Sequence, residues 1–158
     1  MASPRASSAS SLIAALNLPK GAHRLPPRLR GLVQCRYADH VDSFSEVELL
    51  RRHGELKAKL ESLQASATSW FRSMARYAFA LEQVWEARRR DGSSEGRRAS
   101  VLIGACLVYL LDCEDVIPDH ICGQGYLDDA FVFEECLRRL TAGDRNLFLE
   151  QLNAADAP

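Results

Sequence analysis

Residues 42–90 read DSFSEVELLRRHGELKAKLESLQASATSWFRSMARYAFALEQVWEARRR, and a single spacing runs through them. Leu49, Leu56, Leu63, Trp70, Tyr77 and Val84 recur every seven positions, and His53, Leu60, Ala67, Met74 and Leu81 fall four after each of the first five. In a helix, residues three and four apart share a face, so this pattern draws one apolar seam along a helical rod. A half-buried strand would alternate every second residue instead. The stretch therefore predicts one long heptad-patterned helix over 42–90, or a helix pair broken near Ser66–Ser69, packed lengthwise against a partner. Asp42 or Ser43 suits the N-cap with Glu46 behind it, and Gly54 is a weak spot.

The seam is uneven. Arg51, Arg52, Lys57 and Lys59 flank a narrow stripe in its first half, whereas Phe71, Ala75, Ala78, Phe79 and Trp85 widen the second half into something buried on more than one side. Two uses stay open: an entirely intramolecular core, or a first half (Leu49, Leu56, Leu60 and Leu63) offered to another protein or to a second copy. His53 reads as a partly exposed structural histidine.

Outward from this stretch the chain divides readily. Residues 1–41 form a basic Pro/Ser-rich arm, expected to be largely irregular because Pro4, Pro19, Pro26 and Pro27 interrupt long helices, with at most a short helix near Leu12–Leu18. Residues 91–98 read as a charged loop and residues 99–142 as a helical hairpin. That hairpin pairs the apolar VLIGACLVYLL of 101–111 with the amphipathic LDDAFVFEECLRRL of 127–140. Residues 143–158 supply a short C-terminal helix and tail. No segment alternates with period two, so the expected fold is all-α, a small bundle of four to five helices.

The net charge of −1 hides a gradient: +6 over residues 1–38, +1 over 39–100 and −8 over 101–158. Arg24, Arg28, Arg30 and Arg36 on the arm, and Arg88, Arg89 and Arg90 beside the loop, are candidate contacts for an anionic partner such as a membrane surface; the alternative is a solvated basic face. Nucleic acid is disfavoured, because the rest of the chain is acidic and the arm lacks interleaved aromatics for stacking bases. Neither G-x-x-x-x-G-K-[ST] nor G-x-G-x-x-G occurs.

Five cysteines without a C-x-x-C pair read as reduced thiols in a cytoplasmic protein. The Ser-rich, acid-free N-terminus faintly resembles an organellar transit peptide, with a flexible tail as the other reading. The apolar run at 101–111 is well short of the roughly 20 residues that span a bilayer.

Chemistry concentrates in DVIPDHICGQGYLDD, residues 115–129. Asp115, Asp119, Asp128 and Asp129 cap helices, meet an arginine from elsewhere, or converge on a divalent cation; all-oxygen ligands suit Mg²⁺, Mn²⁺ or Ca²⁺. Zinc is disfavoured because His120 and Cys122 lack paired ligands at zinc-site spacing, and the cysteines read as buried and apolar. A Cys122/His120 nucleophile pair has no third orienting group in view. No cofactor is expected.

The same region carries a resemblance. VYLLDCEDVIPDHICGQGYLDDAFVFEECLRRL, residues 108–140, resembles the YkvA-like domain, whose signature runs from an apolar helix into D-hydrophobic-I-P-D and then G-Y-hydrophobic-D-D. The matching residues are Tyr109, Asp115, Ile117, Pro118, Asp119, Gly125, Tyr126, Leu127, Asp128 and Asp129. The family's Ser-Pro before the motif and its later proline are replaced here by Asp112-Cys113 and Cys122. The likeness covers about 40 residues, Ala99 to Leu140. It implies a small helical domain with no settled activity, and membrane association, which would make the protein cytoplasmic but peripheral to a membrane. Taken together, the expectations are a non-enzymatic helical adaptor acting in a protein complex or homo-oligomer, with a divalent-metal-binding regulator or enzyme at the four aspartates, or a peripheral membrane protein, as alternatives.

Overall fold

The computed structural model describes residues 25–112 and 126–155. They form seven helices and, among the described residues, no strand: α1 Pro27–Asp42, α2 Glu46–Arg51, α3 His53–Gln64, α4 Ser69–Arg89, α5 Ser94–Leu111, α6 Leu127–Arg139 and α7 Ala142–Ala154. The all-α expectation holds, with more helices than the four or five foreseen.

Helix α1 corrects the irregular reading for residues 27–41; the rest of that arm to residue 24, with the short helix expected near Leu12–Leu18, lies outside the described residues. Pro27 occupies the first helical turn, where its fixed φ suits the helix and its missing N–H costs no bond, so Pro26-Pro27 opens a helix instead of preventing one. Val33 and Tyr37, one turn apart, bury its inner face, and the Tyr37 hydroxyl donates to the Leu102 carbonyl at 2.8 Å. Burial pushes the Tyr37 phenol pKa far up, so this donor stays protonated.

The heptad stretch is divided twice. Ser45, neither Asp42 nor Ser43, caps α2 by accepting from the Glu48 N–H. Arg52, at φ −89° and ψ 6°, separates α2 from α3, and residues 65–68 separate α3 from α4. These breaks let a seam too long for one small bundle fold back on itself.

Helices α4 and α5 form the central pair. α3 and α7 pack on α4, α1 and α6 pack on α5, and α2 lies against α5. Trp85, Met74, Leu81, Ile103, Leu107, Leu110, Phe133 and Phe148 fill the space between them. α5 begins inside the expected 91–98 loop, because Ser93 accepts from the Gly96 N–H at 3.0 Å and starts the helix at Ser94. α7 starts at Ala142, one residue before the expected boundary, under a capping box in which Thr141 and Asp144 satisfy each other's backbone N–H groups. Gly143 therefore lies inside this helix.

The carbonyl of Leu102 ties three helices together. It accepts from Tyr37 of α1 and lies 3.6 Å from the Cys136 sulfur of α6. Burial raises the pKa of the neighbouring Cys106 thiol, so Cys106 and Cys136 behave as apolar core groups.

Candidate binding groove and the acidic helix start

A second face of α3 runs beside its core-facing leucines, with Leu60 at the border of the two. His53, Lys57, Leu60, Glu61 and Gln64 recur at spacings of three and four, and Ala75, Arg76, Phe79, Glu82, Gln83, Glu86 and Arg90 do the same along α4. Between these faces runs an open groove of about 1170 Å³, to whose lining Ala155 after α7 also contributes. Its walls are antiparallel, since the short 65–68 link reverses the chain and His53 at the start of α3 meets Glu82 in the second half of α4 at 2.6 Å. Leu60, Ala75 and Phe79 make the floor, and Phe79 stands 49% exposed.

The charges around the groove are tied down unevenly. Glu82 is 9% exposed and engaged by His53. Glu86 accepts from Arg89 at 3.0 Å and Arg90 at 3.2 Å. Arg89 also donates to Glu46 at 3.0 Å and lies over the Trp85 ring; the hydrogen bonds it donates to Glu86 and then to Glu46 hold its pKa above the ordinary guanidinium range. Arg90 keeps a side chain 73% exposed.

A second polar cluster joins α1, α3 and α5. His40 engages the Arg36 carbonyl at 2.9 Å through Nδ1 and Asp112 at 2.6 Å through Nε2, and Arg52 reaches Asp112 at 3.3 Å and Glu55 at 3.0 Å. Burial works against the Arg52 charge, yet the bonds to Glu55 and Asp112 leave its pKa raised. Asp112 is the C-cap of α5, so this cluster fixes where the apolar helix ends. Tyr109, one turn back, lies 5.5 Å from the His40 ring and donates to Asp128 at 3.1 Å.

Asp128 and Asp129 are buried, at 0% and 1% exposure, in the first turn of α6, where helix N–H groups and the dipole favour carboxylates. Asp115 and Asp119, with Arg24, lie outside the described residues. Among the described residues no group of three or more His, Cys, Asp or Glu side chains could hold a metal ion.

Of the two uses left open for the first-half leucines, their burial agrees with the intramolecular one and not with the partner-facing one. Leu49, Leu56, Leu60 and Leu63 are 1%, 1%, 8% and 4% exposed, spent on packing α2 and α3 inside this chain. The burial has a physical cause: the break at Arg52 lets α2 and α3 each turn these leucines inward, while Val47 and Leu50 beside them on α2, Leu32 on α1 and Phe79 on α4 stay exposed. Arg88, Arg89 and Arg90 are also corrected as anion contacts in part, because Arg88 binds Asp144 at 2.6 Å and Arg89 binds Glu46 and Glu86. On α1, Arg28 and Arg36 are exposed and Arg30 is half-buried. Sequence reading missed the groove and the His40–Asp112–Arg52 cluster; Phe79 did carry a signal, since it lies outside the heptad ladder, two positions from both Tyr77 and Leu81. No helix among the described residues is long and apolar enough to cross a membrane.

Comparison with known proteins reaches the hairpin alone. No curated protein and no solved structure matches the chain. Residues 99–134, which cover most of α5 and the first half of α6, match the model of a family described as a protein of unknown function (DUF1232).

Proposed function

We propose that this chain is a non-enzymatic helical interaction protein, an adaptor whose α3–α4 groove receives an amphipathic helix of another protein. The shape of the groove carries the reading. Its lining runs from His53 to Ala65 on α3 and from Ala75 to Arg90 on α4, so at 1.5 Å per residue the walls extend for roughly 20 Å. A helix of that length and about 10 Å across occupies roughly 1600 Å³, of which a groove of about 1170 Å³ takes the buried larger part. A rod fits this space better than a compact metabolite does. An apolar floor with an exposed aromatic at its middle and a charged rim matches helix-in-groove recognition, in which anchors at three- and four-residue spacing supply the affinity.

In this reading the family-matched hairpin, which resembles the YkvA-like domain, is scaffold: α5 is sheathed by α1, α4 and α6 and holds α4 in place. The test is fluorescence anisotropy of the full chain with labelled amphipathic helical peptides of about 14 residues carrying one aromatic or leucine anchor. Saturable binding that is lost in Phe79→Glu supports the reading, and no binding by any peptide removes it. Light scattering runs alongside, and a dimer that Phe79→Glu dissociates would reassign the groove to a second copy.

A further inference from the structure

We infer that the outer face of α1 pairs with the same face of a second copy of this chain, the two helices running antiparallel across a two-fold axis. Val33 and Tyr37 turn inward, and at about 100° per residue Arg28, Gly31, Cys35, Asp39 and Asp42 fall on the opposite side, all of them exposed. Leu32, at the flank of that stripe, is 50% exposed. Among the described residues the side chains of Arg28, Asp39 and Asp42 have no hydrogen bond or ion pair, so their charges are unspent within the chain. They are also sorted along the helix, the cation in the first turn and the two carboxylates in the last.

That order runs against the dipole of α1, which favours carboxylates at the start and cations at the end, so the helix itself gains nothing from it. A reversed copy does. Antiparallel packing sets Arg28 of each chain against Asp39 and Asp42 of the other and opposes the two dipoles, whereas parallel packing would set like charge over like. With Arg36 on the flank the face carries two cations and two carboxylates, so it offers no net charge to a polyanion or a polycation. Cys35 lies within a residue of the helix midpoint and therefore meets Cys35 of the second copy at the axis. Gly31 has nothing within 4 Å of where a Cβ would stand, which leaves room for the second backbone. A 16-residue helix is about 24 Å long and lends a strip roughly 10 Å wide, less than the roughly 800 Å² per partner of stable complexes, so the dimer is a weak one.

The experiment is sedimentation velocity of the full chain from about 1 µM to 1 mM, the range in which so small an interface associates. The mass should rise from 17.6 kDa toward twice that value. R28E and D39R/D42R each set like charges across the axis and should each raise the dissociation constant by about ten-fold or more. An equal mixture of the two variants should dimerise again, which a folding defect would not allow. A short bismaleimide should join Cys35 to Cys35, as peptide mass mapping would show, and C35S should remove that product. A monomer throughout the range, or a dimer that neither charge variant weakens, overturns the inference. A dimer that Phe79→Glu dissociates instead lies on the groove and overturns it too. Binding of the chain to vesicles of anionic phospholipid that R28E abolishes, with no dimer in solution, would give the face to a lipid surface.

Discussion

Gly104 offers the sharpest probe of how the helices are seated, because Phe44 from the α1–α2 connection lies directly on it. A Cβ added at Gly104 would stand 2.2 Å from Cζ and 2.3 Å from Cε2 of Phe44, where carbon atoms in contact ordinarily sit about 3.5–4.0 Å apart. The half-buried ring would have to retreat by more than an ångström, while the backbone that carries it is held on both sides. Ser43 is bonded to the Asp39 carbonyl at 2.7 Å on one side, and Ser45 caps α2 on the other. Gly104→Ala should gain about 1 kcal/mol from helix propensity and lose about 1–3 kcal/mol to overpacking, toward the upper end at this closeness. The net expectation is destabilisation by about 1–2 kcal/mol, read as a fall in Tm of roughly 2–8 °C and a lower denaturation midpoint at unchanged slope. In a Phe44→Ala background the obstacle is gone, so the same Gly104→Ala change should stabilise by about 1 kcal/mol. A reversal of sign between the two backgrounds is the signature, and it is insensitive to errors in either magnitude. If Gly104→Ala stabilises the natural chain, or acts equally in both backgrounds, Phe44 does not pack on α5 as described.

Three further outcomes follow from buried and titrating groups. Arg88→Met should cost about 3 kcal/mol by urea unfolding, because it strands Asp144, 1% exposed and otherwise held by Thr141; a loss below 0.5 kcal/mol would show that the pair adds nothing. Under native conditions an alkylating reagent should modify the exposed Cys35 but neither Cys106 nor Cys136 until denaturant is added, as peptide mass mapping would show; early labelling of either buried thiol would contradict the packing around Leu102. The Ser93 backbone N–H, donating to Asp91 at 3.0 Å, holds the Asp91 pKa below its ordinary 3.8, so its contribution is present above that value and is lost as pH falls through the lower folded value. Thermal melts between pH 2.5 and 6 should accordingly show a shallower acid limb for Asp91→Asn, and an unchanged limb would remove Asp91 from the account.

How much of this was legible depended on what each residue needed to know about its neighbours. The period-seven seam told of helices because periodicity is a property of the chain alone, and the capping box at Thr141–Asp144 lies within four residues. The start of α1 at Pro27 was misread because a proline that breaks a helix interior and one that opens a helix differ only in what lies ahead of them. Pairings across the fold, such as Arg88 with Asp144 or His40 with Asp112, leave no local trace, so Arg88 looked like a free cation in the sequence. Asp128 and Asp129 were legible as residues at a helix start, but their burial comes from the packing of α6 against α1 and α5.

The same distinction explains where the groove lies. Phe79 and Phe133 are the same residue type on two amphipathic helices, yet one is 49% and the other 1% exposed. Counted from Tyr77, at about 100° per residue, Phe79 lies roughly 200° round the helix, away from the ladder, where it stays half exposed. Helix α3 reaches that side with one edge only, through His53, Lys57 and the rim of Leu60, because Leu56 and Leu63 are committed inward. Among the described residues, then, the helices leave this apolar position half exposed, and it is there that the proposed helix of a partner would make its contact.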